Sequence, residues 1–396
     1  MMRKVLVIDY GLCNFHNLIE LAKEGHQVWV SNSSKTGKEA PFQYYLSNGI
    51  TILPDDIHYG DYCNGVARFV DEKGIDTILN FHPDFVVPHY WKTDLDYVGL
   101  NTRSAHTETK KLWCRNEVEK LGVRVPKFLN EITIPCVVKP KRDQGGIACI
   151  DRNTQLVLNE EQRQTVRFDS DHHYIEEYID HDMEVNVDFT VSQGKYAIAY
   201  AQQTLGEGDT KLADSQSWWI NKTGSARIYD EKDMNLILSN AEKILEWVAS
   251  LGGSFQGHLT GLVKDGEYYF SEINARQETS NSIPIYCNGE EYLESLFNGK
   301  PHIISDARPW YQESITVIPK YPDAEYPFHL HEKHDVLIPC GLDIIDGKYR
   351  VSLQYRDETI DGRVGIKVID KEIPMEFIED MKASDFEVWE EFTSGK

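Results

Sequence analysis

Long apolar runs are missing from this chain: nowhere in its 396 residues do eighteen apolar residues follow one another, so the sequence predicts no membrane-spanning helix. Cysteine is sparse and unordered. Seven are present (Cys13, Cys63, Cys114, Cys136, Cys149, Cys287, Cys340), odd in number and never in Cys-x-x-Cys spacing, which argues against a disulfide framework or a zinc knuckle. A reducing, cytoplasmic setting is the expectation. Positive charge is also short, with 41 basic against 64 acidic residues and a formal charge of -23, which argues against a surface that condenses on nucleic acid or anionic lipid. No secretory segment is visible, because Val5 to Ile8 reach Asp9 too soon for a signal-peptide apolar region. Neither Gly-x-Gly-x-x-Gly after the first strand nor a Walker loop occurs, and internal repeats and low-complexity tracts are absent. What remains is a chain 41% hydrophobic, long enough for a large core in two or three domains, whose expected partners are small molecules.

Val5 to Ile8 reads as a buried strand, Asn17 to Lys23 as a helix, Gly25 to Val30 as turn and strand, Val66 to Lys73 as a helix and Ile75 to Asn80 as a further strand. Such alternation predicts a parallel sheet, closed by Asp96 to Asn101. Ser104 to Leu121 is expected as one long amphipathic helix, stopped by Gly122 and Pro126. From Pro135 to Val191 short strands alternate with polar connections. Asp230 to Leu251 carries Met234, Ile237, Leu238, Ala241, Ile244, Leu245 and Val248 at helical spacing, a core-facing helix. Short alternating strands after about residue 300 (Val336 to Ile338, Tyr349 to Leu353, Val364 to Val368) suggest a small β-rich cap.

Chemistry concentrates in Tyr269-Phe270-Ser271-Glu272-Ile273-Asn274-Ala275-Arg276. A strand ending in Glu-x-Asn-x-Arg puts Glu272, Asn274 and Arg276 on one face. The first two supply hard oxygens of the kind Mg2+ prefers while it is shared with phosphates, and Arg276 supplies a fork for phosphate oxygens. A solvated edge strand has the same pattern, so the upstream segments decide. Cys136-Val137-Val138-Lys139-Pro140 delivers a lysine into a polar loop whose paired Gly145 and Gly146 let backbone N–H groups approach phosphate, as an ordinary glycine turn also would. His173 to Ile179 forms a strand whose backbone suits a nucleobase, and Glu184 opens a second alternating strand, where a carboxylate suits ribose hydroxyls.

In this order the segments resemble the ATP-grasp superfamily of carboxylate-amine ligases over roughly residues 75 to 285. The resemblance implies an α/β (α+β ATP-grasp) chain in three parts: an N-terminal parallel-sheet domain (1–104), an ATP-grasp domain of two subdomains (105–300, flap and hinge about 130–195) and a small C-terminal β-rich domain (301–396). It implies ATP and Mg2+ (or Mn2+) as cofactors, a small-molecule carboxylate and an amine as substrates, and a monomer or homodimer. By the same resemblance Lys111, eleven residues before Gly122, and Lys139 hold ATP phosphates, with Lys110 as a neighbouring alternative. Gly145 and Gly146 belong to the phosphate flap, and Glu176, Glu177 and Ile179 fall on the adenine hinge. Glu184 falls on the ribose carboxylate, Glu272 and Asn274 on the metal ligands, and Arg276 and Lys139 on the catalytic positions. The hinge looks most like that of carbamoyl phosphate synthetase. Gly74-Ile75-Asp76, Gln203 to Thr210 and Asp361 to Val364 look more like phosphoribosylamine-glycine ligase, so that ligase is an alternative, and a nucleotide-binding protein without turnover is another.

Departures from the glycine-ligase pattern are specific. Its Gly-Asp-Pro-Glu continuation is replaced by Gln277 to Ser280, and its glycine-rich substrate loop by Ala213 to Trp219. Trp218, Trp219 and Arg227 are expected to order over an anionic acceptor substrate. The strand before Glu-x-Asn carries Gly257-His258-Leu259-Thr260-Gly261 where the family places a second metal carboxylate, so one metal is held more weakly or another group substitutes. Two further motifs point elsewhere. Ile8 to Asn14 looks like the opening of a glutamine amidotransferase but lacks its glycine-flanked elbow cysteine and downstream His-Glu pair, and reads as a first βα turn. Phe328-His329-Leu330-His331-Glu332-Lys333-His334 offers alternating histidines for a transition metal, but a solvated loop is the better expectation because no second cluster completes the set.

Overall fold

The computed structural model describes residues 2–9, 15–32, 45–53, 62–80, 95–142, 154–206, 223–227, 231–275, 310–321, 324, 326–334, 342–345, 348–356 and 375–388. Apolar Val5 to Ile8 form β1 (Lys4–Asp9), followed by α1 (Phe15–Lys23), β2 (Gln27–Asn32), β3 (Thr51–Ile52), α2 (Tyr62–Lys73), β4 (Thr77–Asn80) and β5 (Asp96–Val98). The five strands lie in the order β3-β2-β1-β4-β5 and pair in parallel throughout. β1 is buried on both faces: Val5 and Val7 meet Leu18, Leu21 and Val30 on one side, and Leu6 and Ile8 meet Val66, Val70 and Ile78 on the other. That two-sided burial is why the strand is continuously apolar rather than alternating.

Two short helices follow, α3 (His106–Thr109) and α4 (Lys111–Lys120), where the sequence predicts one helix over Ser104 to Leu121. The break falls at Lys110, whose backbone (φ -122, ψ 68) leaves the helical region. Leu112 N–H donates to the Lys141 carbonyl across the break, tying α4 to a strand that periodicity along one segment does not reveal. β6 (Phe128–Leu129), β7 (Cys136–Pro140), β8 (Gln155–Val157), α5 (Glu160–Thr165) and β9 (His173–Glu177) come next, and their strands form an antiparallel sheet in the order β6-β9-β7-β8.

The largest core lies beneath a second antiparallel sheet, made by β10 (Met183–Ser192), β11 (Lys195–Gly206), β12 (Thr223–Arg227), β13 (Phe255–Lys264) and β14 (Glu267–Asn274) in the order β12-β11-β10-β13-β14. Its inner face (Val185, Val187, Phe189, Leu259, Phe270) packs on α6 (Glu231–Ser250) through Ile237, Ala241, Ile244, Leu245 and Val248, as the helical spacing predicts. One irregularity in β14 sets the geometry of the site. The β13–β14 ladder pairs Gly261 with Phe270 and Thr260 with Glu272, so Ser271 is an extra residue in a bulge. Tyr268 and Phe270 enter the core before the bulge, and Ile273 and Ala275 enter it after. The parity flips at Ser271, and Glu272 and Asn274 turn to the opposite face.

Beyond these lie β15 (Trp310–Pro319), α7 (His329–His334), β16 (Leu342–Ile345), β17 (Lys348–Arg356), α8 (Met375–Ala383) and β18 (Phe386–Val388), with strand order β16-β17-β15-β18. The fold class is therefore as expected: α/β, with one parallel sheet, antiparallel sheets and a small C-terminal β-rich unit. The solvated loop expected at Phe328 to His334 is instead helix α7. His334 is half-buried, with Nε2 2.7 Å from Asp380 Oδ2 and its ring edge-on to Phe377 at 6.0 Å. No group of three or more His, Cys, Asp or Glu among the described residues is placed to hold a metal ion. No helix among them is long and apolar enough to cross a membrane. The expected strands at Val336 to Ile338 and Val364 to Val368 lie outside the described residues.

Candidate active site

Between the β6–β9 sheet and the outer face of the β10–β14 sheet lies a cleft of about 340 Å³. Strand alternation builds its floor. Val185 and Val187 point to the core, so Glu184 and Asn186 point to the cleft; Leu259 points to the core, so His258 and Thr260 do not. The bulge adds Glu272 to that floor. Lys139, Glu176 and the segment Glu177 to Ile179 form the facing wall.

Within this cleft the charges are organised by pairing. Lys111 Nζ lies 3.2 Å from Glu272 Oε2, and Asn274 Nδ2 donates to Glu272 Oε1 at 3.1 Å while lying 2.9 Å from His258 Nε2. Lys111, and after it Lys139, the Asn274 amide and His258, hold the Glu272 carboxyl well below the usual carboxylate range against the opposing effect of burial. It is ionised at neutral pH, with about a third of its side chain exposed to the cleft. On the other wall, Glu176 is buried between two cations: Arg115 Nε donates to its Oε1 at 2.7 Å, and Lys139 Nζ stands 3.1 Å from its Oε2. Lys139 also donates to the Ser271 carbonyl at 3.3 Å, the residue at the bulge.

Of the residues singled out from sequence, Lys111, Lys139, Glu176, Glu177, Ile179, Glu184, Glu272 and Asn274 come together around this one cleft. Lys110 does not join them and turns instead to His106, with Nζ 3.4 Å from Nδ1. Glu177 uses its carboxylate on the backbone N–H of Lys127 at 2.9 Å, and the Ile179 carbonyl faces the buried His181 ring at 3.0 Å. Gly145, Gly146, Arg276, Trp218 and Trp219 lie outside the described residues, as do the side chain of Arg227 and the turn Tyr10 to Asn14. Sequence reasoning missed Arg115. It sits one helical turn after Lys111, a spacing that places both on one face of α4, and its guanidinium also stacks 3.6 Å over the Phe128 ring. It missed Asn186 too, whose Oδ1 accepts from Thr260 at 2.7 Å across the sheet.

A parallel-sheet unit, a small antiparallel sheet bearing a lysine, and a larger antiparallel sheet floored by carboxylates, with the cleft between the last two, define the ATP-grasp fold, and this chain has it. Among solved structures it resembles N5-carboxyaminoimidazole synthetase from Staphylococcus aureus complexed with ADP (TM-score 0.63, 14% identity, 90% of this chain and 93% of that one). It also resembles L-amino acid ligase from Bacillus licheniformis (TM-score 0.61, 14% identity, 90% and 95%) and the biotin carboxylase β,γ-ATP complex from Campylobacter jejuni (TM-score 0.61, 14% identity, 98% and 92%). No protein-family profile matches the chain. No curated protein matches it in sequence.

Proposed function

We propose that this chain is an ATP-dependent carboxylate-amine ligase, with ATP in the cleft between Lys139–Glu176 and Glu272–Asn274. The observation that carries the reading is the convergence of two lysines, an ionised carboxylate and a carboxamide on one cleft between two antiparallel sheets. The likeness to solved complexes with ADP and β,γ-ATP supports a nucleotide there. The backbone of Glu177 to Ile179 is the edge for the base, Glu184 the carboxylate for the ribose, and Lys111 and Lys139 the cations for the phosphates. A substrate carboxylate attacks the γ-phosphorus, the bond to the β-phosphate oxygen breaks, and ADP leaves with that electron pair. An amine then adds to the acyl carbon and expels phosphate, giving the amide. Here the chain's contribution is placement and charge neutralisation by groups already fixed in low-dielectric surroundings.

Glu272 and Asn274 fit Mg2+. One side chain is ionised, the other is a carboxamide held beside it, and a hard cation that takes further ligands from phosphates needs only one or two carboxylates from the protein. Bound there it would supply charge stabilisation for phosphoryl transfer. His258 and Thr260, on β13, stand where a second carboxylate would be sought, and Asn274 and Asn186 are their respective partners. We further assign Gly145 and Gly146 to a flap over the phosphates, Arg276 to the transferred phosphoryl group, and domain limits near residues 104 and 300. ADP release across a panel of amino acids and amines tests the reading, and no release with any pair would leave a nucleotide-binding protein. Turnover of phosphoribosylamine with glycine would place the chain in the glycine-ligase branch. The replaced substrate loop predicts little turnover of that pair.

A further inference from the structure

Helix α4 has two working faces. Lys111 and Arg115 hold Glu272 and Glu176 of the nucleotide cleft, while Trp113 and Asn116 on a different face, with Lys110 from the break just before the helix, line a separate cavity of about 480 Å³. Lys141 and Arg142, which follow β7, close it from the other side. Three cations from two segments far apart in sequence therefore converge on one cavity in a chain of formal charge -23. Asp171 is the one carboxylate on its wall, so the cations outnumber it by two, with His172 beside it. Burial first, and then Lys110 and Arg142, push the pKa of the neighbouring His106 ring down, in keeping with the cations gathered there. Such mutual repulsion is relieved by a dianion, and the volume is that of a small-metabolite site. Asn116 links the two faces: its Oδ1 accepts from Arg115 at 3.3 Å, and Arg115 in turn holds Glu176, the partner of Lys139.

We propose that this cavity binds the phosphate group of a small phosphorylated metabolite, gripped by Lys110, Lys141 and Arg142, and that its occupancy alters nucleotide affinity through Asn116 and Arg115. The site goes beyond the ligase reading, because it requires only the cavity and its charges. Calorimetry on the full chain, with the nucleotide cleft saturated by a non-hydrolysable ATP analogue, tests it with inorganic phosphate and glycerol 2-phosphate as probes and glycerol as the uncharged control. Both phosphates are expected to bind, glycerol not at all, and Lys110→Glu combined with Arg142→Glu is expected to weaken binding at least tenfold. Binding that the charge-reversed variant retains, or that the analogue displaces, would overturn the site. The coupling is read separately: the analogue's dissociation constant should shift by threefold or more with glycerol 2-phosphate present, and an identical value would overturn it. A failure of ATP to bind at all would instead count against the ligase reading.

Discussion

At the scale of single residues the cleft is a set of mutually dependent charges. Glu272→Gln keeps the shape and removes the charge, so ADP release should fall sharply while the melting temperature changes little at low pH. The sign of the acid response follows from the lowered pKa. A carboxylate held below its unfolded value stabilises the fold above the unfolded pKa and loses that contribution as pH falls through the folded one. The difference in melting temperature between the native chain and Glu272→Gln should thus be greatest near neutrality and shrink on acidification; a pH-independent difference would refute the pairing with Lys111. Lys139→Ala should weaken binding of a non-hydrolysable ATP analogue by about 1.5 to 3 kcal/mol, the scale of a hydrogen bond to a charged group, as calorimetry would show. Arg115→Ala leaves Glu176 buried with one cation instead of two and exposes the Pro126 carbonyl to loss of its donor. Breaking such a pair costs about 3 to 5 kcal/mol, and chemical denaturation should detect it; Arg115→Lys should recover part.

Secondary-structure elements explain what could be read beforehand and what could not. The continuous apolar run of β1 and the helical spacing in α6 were legible because burial imposes one period over a whole element. Glu272 and Asn274 were legible as neighbours two apart, but not the bulge that turns them outward, since the flip is visible only once Tyr268, Phe270, Ile273 and Ala275 are known to share one core. The break at Lys110 and the helix at His329–His334 were hidden for the same reason: their causes, the Lys141 carbonyl and the Asp380–Phe377 pocket, lie far along the chain. Gly257 gives a test of the sheet. A Cβ there would stand 2.4 Å from the Asn274 carbonyl oxygen and 3.1 Å from the Ala275 Cα, so β14 can approach β13 at the site only beside glycine. Gly257→Ala should cost about 1 to 3 kcal/mol and weaken Mg-ATP binding together with it. A variant that keeps both its stability and its affinity for the ATP analogue would show that the strand has room to shift.

For the whole molecule, the formal charge of -23 makes self-repulsion a general destabilising force. Raising ionic strength from about 10 mM to about 150 mM brings the screening length down to about 8 Å, so the melting temperature should rise over that range; a fall would mean that favourable ion pairs dominate. Thiol chemistry offers a second global probe. Burial pushes the Cys114 and Cys136 thiols up, Cys114 furthest, so iodoacetamide should spare both in the native chain and modify them on unfolding, as peptide mass analysis would resolve.

The Lys111–Glu272 contact has a consequence for the order of events. An ammonium already occupies the neighbourhood a divalent ion would enter, so a free metal ion meets competition from within the protein. On the proposed reading a triphosphate would change the balance, giving Lys111 another anion to follow and so freeing the carboxylate. The lysine is thus an internal counter-ion that keeps Glu272 charged in the empty cleft, and it would yield its place to a nucleotide and a metal bound together.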